Sequence, residues 1–496
     1  MLSDKPATLY KPLVVLPITF CLFSLTIPAD LSLPKAFLSR MQASLGDEMK
    51  AFLAEHQQPS PVSIRLNPYK TGQVAATDEV VGWAETGKYL AKRPIFALDP
   101  HWHAGGYYVQ EASSMFLEQA WKMVSSLIEK PPVVLDLCAA PGGKSTHLAS
   151  LLPAGSLLVA NEVIRPRAQI LAENVTKWGT GNVVVTNSDP RDFGVLEGVF
   201  DTILIDAPCS GEGMFRKDPA AVLEWSAANV KLCAERQRRI LADVWQALRP
   251  GGFLIYSTCT YNTDENEQIL QWLAANYPVK GITLPIDKAW GIEETDAAGL
   301  PGYRFYPHRV RGEGLFMALL QKTDGPQTGF RKIKKPVWQK ATRKETEIVS
   351  GWVQQPNNWE WLRWQEKMVI LPAGTHAAAE QIAVALRIVY AGVDVAEIIR
   401  DQANPLPALA LFTQADTSRF AVEETDLETA LRFLKKEEIA LTEGKGWKLI
   451  TYRNLPLGWV KQIGLRANNY FPNEWRLRMD WREIEKLLAD TNQPGL

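Results

Sequence analysis

Between Val133 and Thr260 the chain repeats one rhythm: an apolar strand, a loop of small or acidic residues, then a helix. Val133-Val134-Leu135-Asp136-Leu137 reads as the first strand, and Ser145 opens a helix that runs to Leu152. Leu157 to Val163, Val183 to Thr186 and Thr202 to Ile205 read as three more strands, with a helix over Arg165 to Trp178. A helix from Ala228 to Leu248 leads into Phe253-Leu254-Ile255-Tyr256, a buried strand delivered after Pro250-Gly251-Gly252. Such alternation predicts an α/β fold, a mostly parallel sheet with helices on both faces. Gly314 to Leu320 reads as the strand that finishes it.

In sheets of this kind ligands sit beyond the carboxyl ends of the strands. The loop Cys138-Ala139-Ala140-Pro141-Gly142-Gly143-Lys144 falls there, and so do Glu162, Asp189, Asp206, Cys209 and Cys259. A loop of small residues lets a ligand approach the backbone closely. It lacks the spacing of a phosphate-binding P-loop, because no glycine stands ahead of Gly143-Lys144 where that motif has its first one. Glu162, at the end of the second strand, suits a ribose diol, and Asp189, at the end of the third, suits the exocyclic amine of an adenine. Taken singly, each acid reads equally as a helix cap or a solvated strand end. Together, a ribose and an adenine without a triphosphate cradle point to S-adenosylmethionine. Asp206-Ala207-Pro208-Cys209 and Ser257-Thr258-Cys259-Thr260 place a thiol beyond each of two strands. A buried cysteine is more often inert filler than a reactive group, but two thiols beside a cofactor loop favour chemistry.

The rest of the chain adds partners rather than reactive groups. Its 54 Lys and Arg balance 55 Asp and Glu, so contact with a polyanion must come from local patches. Five scattered cysteines with no Cys-x-x-Cys unit argue against a disulfide framework and a zinc site, and fit a reducing cytosol. His101 and His103 flank Trp102, but with no third ligand nearby in sequence they do not make a metal site. The first thirty residues hold an apolar run, Leu13 to Ile27, after Lys5 and Lys11. That pattern is either a targeting segment or an extension from a start placed too early, and membrane association is not expected. Pro34 to Met41 has helical spacing, and Ser63 to Pro68 alternates like a strand that turns Ser63, Arg65 and Asn67 to one polar face. Residues 331–344 carry seven basic residues and no acid, the composition of a linker. The tail interleaves Lys445, Arg453, Arg466 and Arg476 with Trp447, Trp459, Tyr470 and Trp475. Cations among aromatics suit looped or single-stranded RNA, although the tryptophans equally suit a small core.

Leu135–Lys144, Asp206–Gly213 and Ser257–Thr260 resemble the cofactor and double-cysteine motifs of the Sun-type RNA cytosine-5 methyltransferases, over roughly residues 33–322. Leu455-Pro456-Leu457-Gly458-Trp459 and the stretch after it resemble the PUA-like end of the bacterial RsmF subgroup, whose members act on ribosomal RNA. The resemblance implies a Rossmann-like, S-adenosylmethionine-dependent methyltransferase core. By that likeness Cys259 is the nucleophile, Cys209 assists elimination and product release, and Asp206 hydrogen-bonds the base. Lys144 either assists in that pocket or simply opens a helix. The cofactor would lie against Cys138 to Lys144, Glu162, Asp189 and Asp206. RNA would meet Arg65, Asn67, Lys445, Arg453, Trp459, Arg466 and Arg476. The expected organisation is an apolar extension (1–30), an N-terminal RNA-binding α/β cap (31–110), the methyltransferase core (111–322), a basic linker (323–350), a small α/β region (351–430) and a PUA-like RNA-binding domain (431–496). The expected substrate is small-subunit ribosomal RNA or an assembling ribosomal particle, met by a monomer in the cytoplasm without a metal. Transfer RNA, or a non-catalytic role in ribosome assembly, are the competing readings.

Overall fold

A computed structural model describes residues 32–70, 79–326, 333–400, 402–464 and 466–491. The apolar extension over residues 1–30 lies outside the described residues, as do residues 331–332 of the basic stretch. Among the described residues, no helix is long and apolar enough to cross a membrane.

The central sheet is built on five parallel strands: β1 (Val133–Asp136), β2 (Leu157–Asn161), β3 (Val183–Thr186), β4 (Phe200–Asp206) and β5 (Leu248–Thr258). Their spatial order is β5-β4-β1-β2-β3. The chain therefore winds outward from β1 to β3, then crosses back to β4 on the other side. The reversal leaves a crevice at the carboxyl ends of β1 and β4, where a Rossmann-like sheet binds its ligand. The helices α1 (Gly143–Leu151), α2 (Arg165–Trp178) and α3 (Ala227–Val244) supply the crossovers. Successive strand residues face opposite ways, and the burial follows that period. Leu135, Ile203, Ile205, Leu254 and Tyr256 pack into one core with Ile240 and Leu241 of α3. Val134, Leu204 and Ile255 pack into the other with Leu171 of α2 and with Phe116 and Trp121. Each fully buried Leu, Ile or Phe contributes about 1.5–3 kcal/mol, so the two layers fix the register of the strand ends.

The flanks of the sheet are antiparallel. β6 (Leu315–Lys322) pairs with β5, and the hairpin Glu293–Ala297/Leu300–Phe305 continues from it. On the far side the sheet does not stop at β3, contrary to the reading that Gly314–Leu320 finishes it. β7 (Ile388–Ala391), from the region after the basic stretch, pairs with β3 in antiparallel sense. An open edge strand exposes unpaired backbone groups, and β7 covers those of β3. The basic stretch is also more ordered than a linker composition suggests: Gln339–Lys340 pairs with Trp359–Trp364, and Thr342 caps a helix over Arg343–Val349.

The N-terminal helices Lys35–Leu45 and Met49–His56 precede a three-stranded antiparallel sheet with Val62–Leu66 at its centre. Phe37 and Phe52 of those helices pack on Phe215, Trp225 and Tyr261, beside the loops that follow β4 and β5. The C-terminal sheet is Ala421–Glu424, Gly446–Tyr452, Leu455–Ile463 and Arg466–Asn469, with the helix Leu427–Leu434 packed on it. This unit contains the stretch Leu455–Trp459 whose sequence resembles a PUA-like end.

Candidate active site

β4 and β5 are neighbours in parallel register, with Asp206 opposite Ser257. Cys209 lies three residues past the one and Cys259 two past the other. Their sulfurs sit 3.2 Å apart, within reach of an S–H···S hydrogen bond. Asp206 is held through both oxygens: Ser257 Oγ donates to Oδ1 at 2.7 Å, and Lys144 Nζ pairs with Oδ2 at 2.7 Å. The hydrogen bond from Cys209 lowers the pKa of Cys259; burial and Asp206 oppose the shift, and the charges of Lys144 and Lys217 support it. The same hydrogen bond, with burial and the nearby Glu265, pushes Cys209 well up. The pair is thus asymmetric, with ionisation favoured at Cys259 and disfavoured at Cys209. Lys144 is largely shielded from solvent, which disfavours its charge, yet Asp206 holds its pKa above the ordinary value. Cys209, Cys259, Asp206 and Lys144 form one interacting group at the crevice.

The loop after β1 packs against β2 and α2. Ala139 N–H donates to Asn161 O at 2.8 Å, Arg167 Nη2 to Ala140 O at 2.8 Å and Asn174 Nδ2 to Pro141 O at 2.8 Å. Gly142 has φ +118°, where a side chain is strained, and a Cβ there would meet Leu171 Cδ1 at 3.2 Å. Ser145 Oγ donates to Asp136 Oδ2 at 2.6 Å, while Asp136 Oδ1 is buried and has no partner. Burial, with Asp206 and Glu162 nearby, pushes the Asp136 carboxyl up to about 7. Burial also raises the thiol of Cys138. Glu162 is buried, accepts from Ile164 N–H at 2.8 Å and pairs with Arg167 at 3.2 Å, and burial raises its pKa. Asp189 is partly committed elsewhere. It caps the short turn Pro190–Val195 and pairs with Arg191 at 3.0 Å, which lowers its pKa.

Three of the residues expected to meet RNA do not reach a surface. Arg65 is 0 % exposed: Nε donates to Gln110 Oε1 at 2.7 Å, Nη2 donates to Thr146 Oγ1 at 2.6 Å, and the guanidinium lies 4.3 Å over the Trp178 ring. Asn67 is buried and donates to Gly105 O and Trp178 O at 2.9 Å each. The polar face of this strand points inward because the core offers it carbonyl, amide and hydroxyl partners. Trp459 is 1 % exposed, its indole donating to Leu406 O at 2.9 Å, and so belongs to a core. Lys445, Arg466 and Arg476 are exposed, and Arg453 is half-buried beside the Tyr452 ring. His101 and His103 are buried, facing Asp99 Oδ1 at 3.1 Å and Ala97 O at 2.9 Å. Among the described residues, no three His, Cys, Asp or Glu side chains converge as a metal ion requires.

Two residues behind the thiols escape a motif-based reading. The buried stripe of α3 is Val230, Cys233, Ala234, Gln237, Ile240, Leu241 and Val244. Gln237 is its single amide, and a polar residue on an apolar helical stripe was the available signal. It donates to Glu265 Oε2 at 2.9 Å and to Pro208 O at 3.1 Å, and accepts from Tyr256 Oη at 3.1 Å. Glu265 also accepts from the Ser210 N–H at 2.9 Å and from Asn262 Nδ2 at 2.7 Å. Burial raises its pKa.

Known proteins share this arrangement of parts. Residues 127–321 match the sequence profile of 16S rRNA methyltransferase RsmB/F, residues 33–112 that of the N-terminal domain of 16S rRNA methyltransferase RsmF, and residues 420–477 that of the methyltransferase RsmF PUA domain. A protein of Enterobacter sp. (strain 638) described as ribosomal RNA small subunit methyltransferase F is 33% identical over 475 residues, 89% of this chain and 95% of that one. One of Erwinia tasmaniensis with the same description is 31% identical over 481 residues, 89% of this chain and 96% of that one. Among solved structures, a methyltransferase homolog protein from Pyrococcus horikoshii superposes with a TM-score of 0.50 at 29% identity, over 59% of this chain and 96% of that one.

Proposed function

This chain belongs to the RsmF family of small-subunit ribosomal RNA methyltransferases, and from that premise we propose that it methylates C5 of a cytosine in that RNA through a covalent bond from Cys259 to C6. What supports the reading most is one observation. Two thiols 3.2 Å apart, one lowered and one raised in pKa, stand beside an aspartate held by Lys144 and Ser257.

C5 of cytosine is a poor nucleophile. Addition of the Cys259 thiolate to C6 forms the S–C6 bond and moves electron density onto C5. Asp206, fixed by Lys144 and Ser257, orients the base by accepting from its N4 amino group, and the Lys144 ammonium beside it steadies the negative charge that develops at N3. Lys144 has a second task, favouring the thiolate of Cys259 by its charge. Once C5 carries the methyl group, its proton must leave and the S–C6 bond must break, returning the electron pair to Cys259. Cys209, 3.2 Å from the leaving sulfur, gives its proton to Cys259 as the S–C6 bond breaks and takes the C5 proton in its place. The target base has to leave its stack to reach the crevice, and the surface cations Lys445, Arg466 and Arg476 meet RNA backbone during docking.

The residues of the crevice fit S-adenosylmethionine, which when bound supplies an electrophilic methyl group. The unpartnered buried Oδ1 of Asp136 needs a donor, and Glu162 offers a carboxylate at the end of β2 where ribose hydroxyls would bind. The backbone of Cys138 to Gly143 admits a close ligand, Lys144 closes the loop beside Asp206, and Asp189 flanks the crevice beyond β3.

Methylation of small-subunit ribosomal RNA by the purified protein, read by bisulfite sequencing, tests the reading. Cys259→Ala is expected to abolish 5-methylcytosine. Cys209→Ala is expected to accumulate an RNA–protein adduct, seen as a shifted band on a denaturing gel. Methylation surviving in Cys259→Ala sinks the covalent route.

A further inference from the structure

Glu212 lies three residues past Cys209 and is 1 % exposed. Its Oε2 accepts from the Thr260 hydroxyl at 2.6 Å and from the backbone N–H groups of Tyr261 and Asn262 at 2.9 Å each. Those donors belong to the three residues that directly follow Cys259. Its Oε1 accepts from the Trp225 indole N–H at 3.0 Å, a ring packed among the N-terminal helices. The backbone adds a parallel tie, since Gly213 N–H donates to Cys259 O at 2.9 Å. No side chain fits there: a Cβ on Gly213 would fall 2.6 Å from Gly314 O and 3.0 Å from Cys259 O. The loop that carries one thiol is therefore fastened to the loop that carries the other by the Glu212 carboxyl group, alongside the Gly213 backbone tie and a Ser210–Thr260 hydroxyl contact at 3.1 Å.

A hydrogen bond between sulfurs is weak and falls off steeply with distance, so a thiol pair at 3.2 Å needs both loops held to a few tenths of an ångström. Register between β4 and β5 ends at Asp206 and Ser257, short of either cysteine. Glu212 acts beyond that point. We propose that Glu212 is a positioning residue that sets the spacing of Cys209 and Cys259 and so makes them one reactive unit. The inference rests on the roles assigned to the two thiols above. Glu212 reaches the reaction only through them. With the clamp loosened the sulfurs drift apart, Cys209 stops donating to Cys259, and each behaves as an ordinary buried thiol.

Full-length Glu212→Gln keeps the shape of the side chain but turns one oxygen into a donor. That donor must face either the three groups after Cys259 or the indole of Trp225. The main readout is alkylation of each cysteine by iodoacetamide between about pH 6 and pH 10, on either side of the ordinary thiol pKa of about 8.5, followed by peptide mass analysis. In the unaltered protein, Cys259 is expected to react at a lower pH than Cys209. In Glu212→Gln the two midpoints converge, with Cys259 about tenfold less reactive near neutral pH. Methylation kcat falls by a similar factor, while KM for RNA and affinity for S-adenosylhomocysteine stay within about twofold. Thr260→Val removes one donor at nearly constant volume and is expected to move both readouts the same way by about threefold; it decides the matter if Glu212→Gln does not fold. An unchanged alkylation profile in the folded variant overturns the clamp, whether or not activity falls, and so does a loss of rate that comes with lost cofactor affinity. Methylation by Cys259→Ala would instead overturn the roles of the thiols, so the two failures are separable.

Discussion

Arg65→Leu separates a structural cation from an RNA-binding one. The guanidinium makes two short charge-assisted hydrogen bonds, to Gln110 at 2.7 Å and Thr146 at 2.6 Å, and a longer one to Gly143 O at 3.3 Å. It also lies 4.3 Å over the ring of Trp178. Burial pulls its pKa down to about 9, so it stays charged at neutral pH. Charge-assisted hydrogen bonds contribute about 1.5–3 kcal/mol each, and a desolvated cation–π contact about 2 kcal/mol. Removing a buried charge returns several kcal/mol of desolvation, and leucine fills only part of the space. The expected net loss is about 3 kcal/mol of stability, measured by urea unfolding followed through tryptophan fluorescence. Gly143 and Thr146 lie in the first turn of α1, so cofactor affinity should fall with it. The salt dependence of RNA binding should not change, whereas a lost phosphate contact would lower the slope of log K against log salt by about 1. A variant of normal stability with a shallower salt slope would refute the burial argument.

Asp136 should make the ligand-free protein less stable as pH rises. Its folded carboxyl, pushed up by burial to about 7, keeps a proton that the unfolded chain loses near pH 4, so stability declines between those values by up to about 1.4 kcal/mol per pH unit. Asp136→Asn, which can still accept from Ser145, should flatten that decline in urea unfolding at a series of pH values; an unchanged slope would remove Asp136 as its source. In the C-terminal unit, Trp459→Ala should cost about 3–5 kcal/mol by emptying a core site next to Phe420 and Leu406, read as an earlier unfolding transition. Arg466→Ala and Arg476→Ala, both exposed, should leave stability within about 0.5 kcal/mol yet weaken RNA binding with a smaller salt slope. Normal RNA affinity in both would move the docking surface elsewhere.

Much of the core was legible because its signals are local. Helix α2 spans Arg165–Trp178 as the apolar spacing predicts, with Pro166 in its first turn and Gly179 at its end in a left-handed conformation. The strands fall where apolar runs stop at acids or thiols, and the alternation of strand and helix forces parallel pairing. Parallel pairing then carries Cys138–Lys144, Asp206, Cys209 and Cys259 to one edge. Position alone still left Cys259 open to two readings. The 3.2 Å contact with Cys209 and the charge of Lys144 are what support the proposed reactive reading, and both are tertiary.

The misread residues share a cause. A strand's period of two separates its faces but does not say which one is buried. Arg65 and Asn67 alternate like a solvated face, yet they bond partners 38 to 111 residues away in sequence. Trp459 sits among cations in sequence and among apolar side chains in space. The pairing of β7 with β3 joins segments with no shared local pattern. Periodicity and composition decided which elements form and in what order, because those depend on neighbours along the chain. The burial of a polar group, the pKa of a thiol and the clamp at Glu212 depend on partners that only folding brings within hydrogen-bond distance, so the tertiary structure alone decided them.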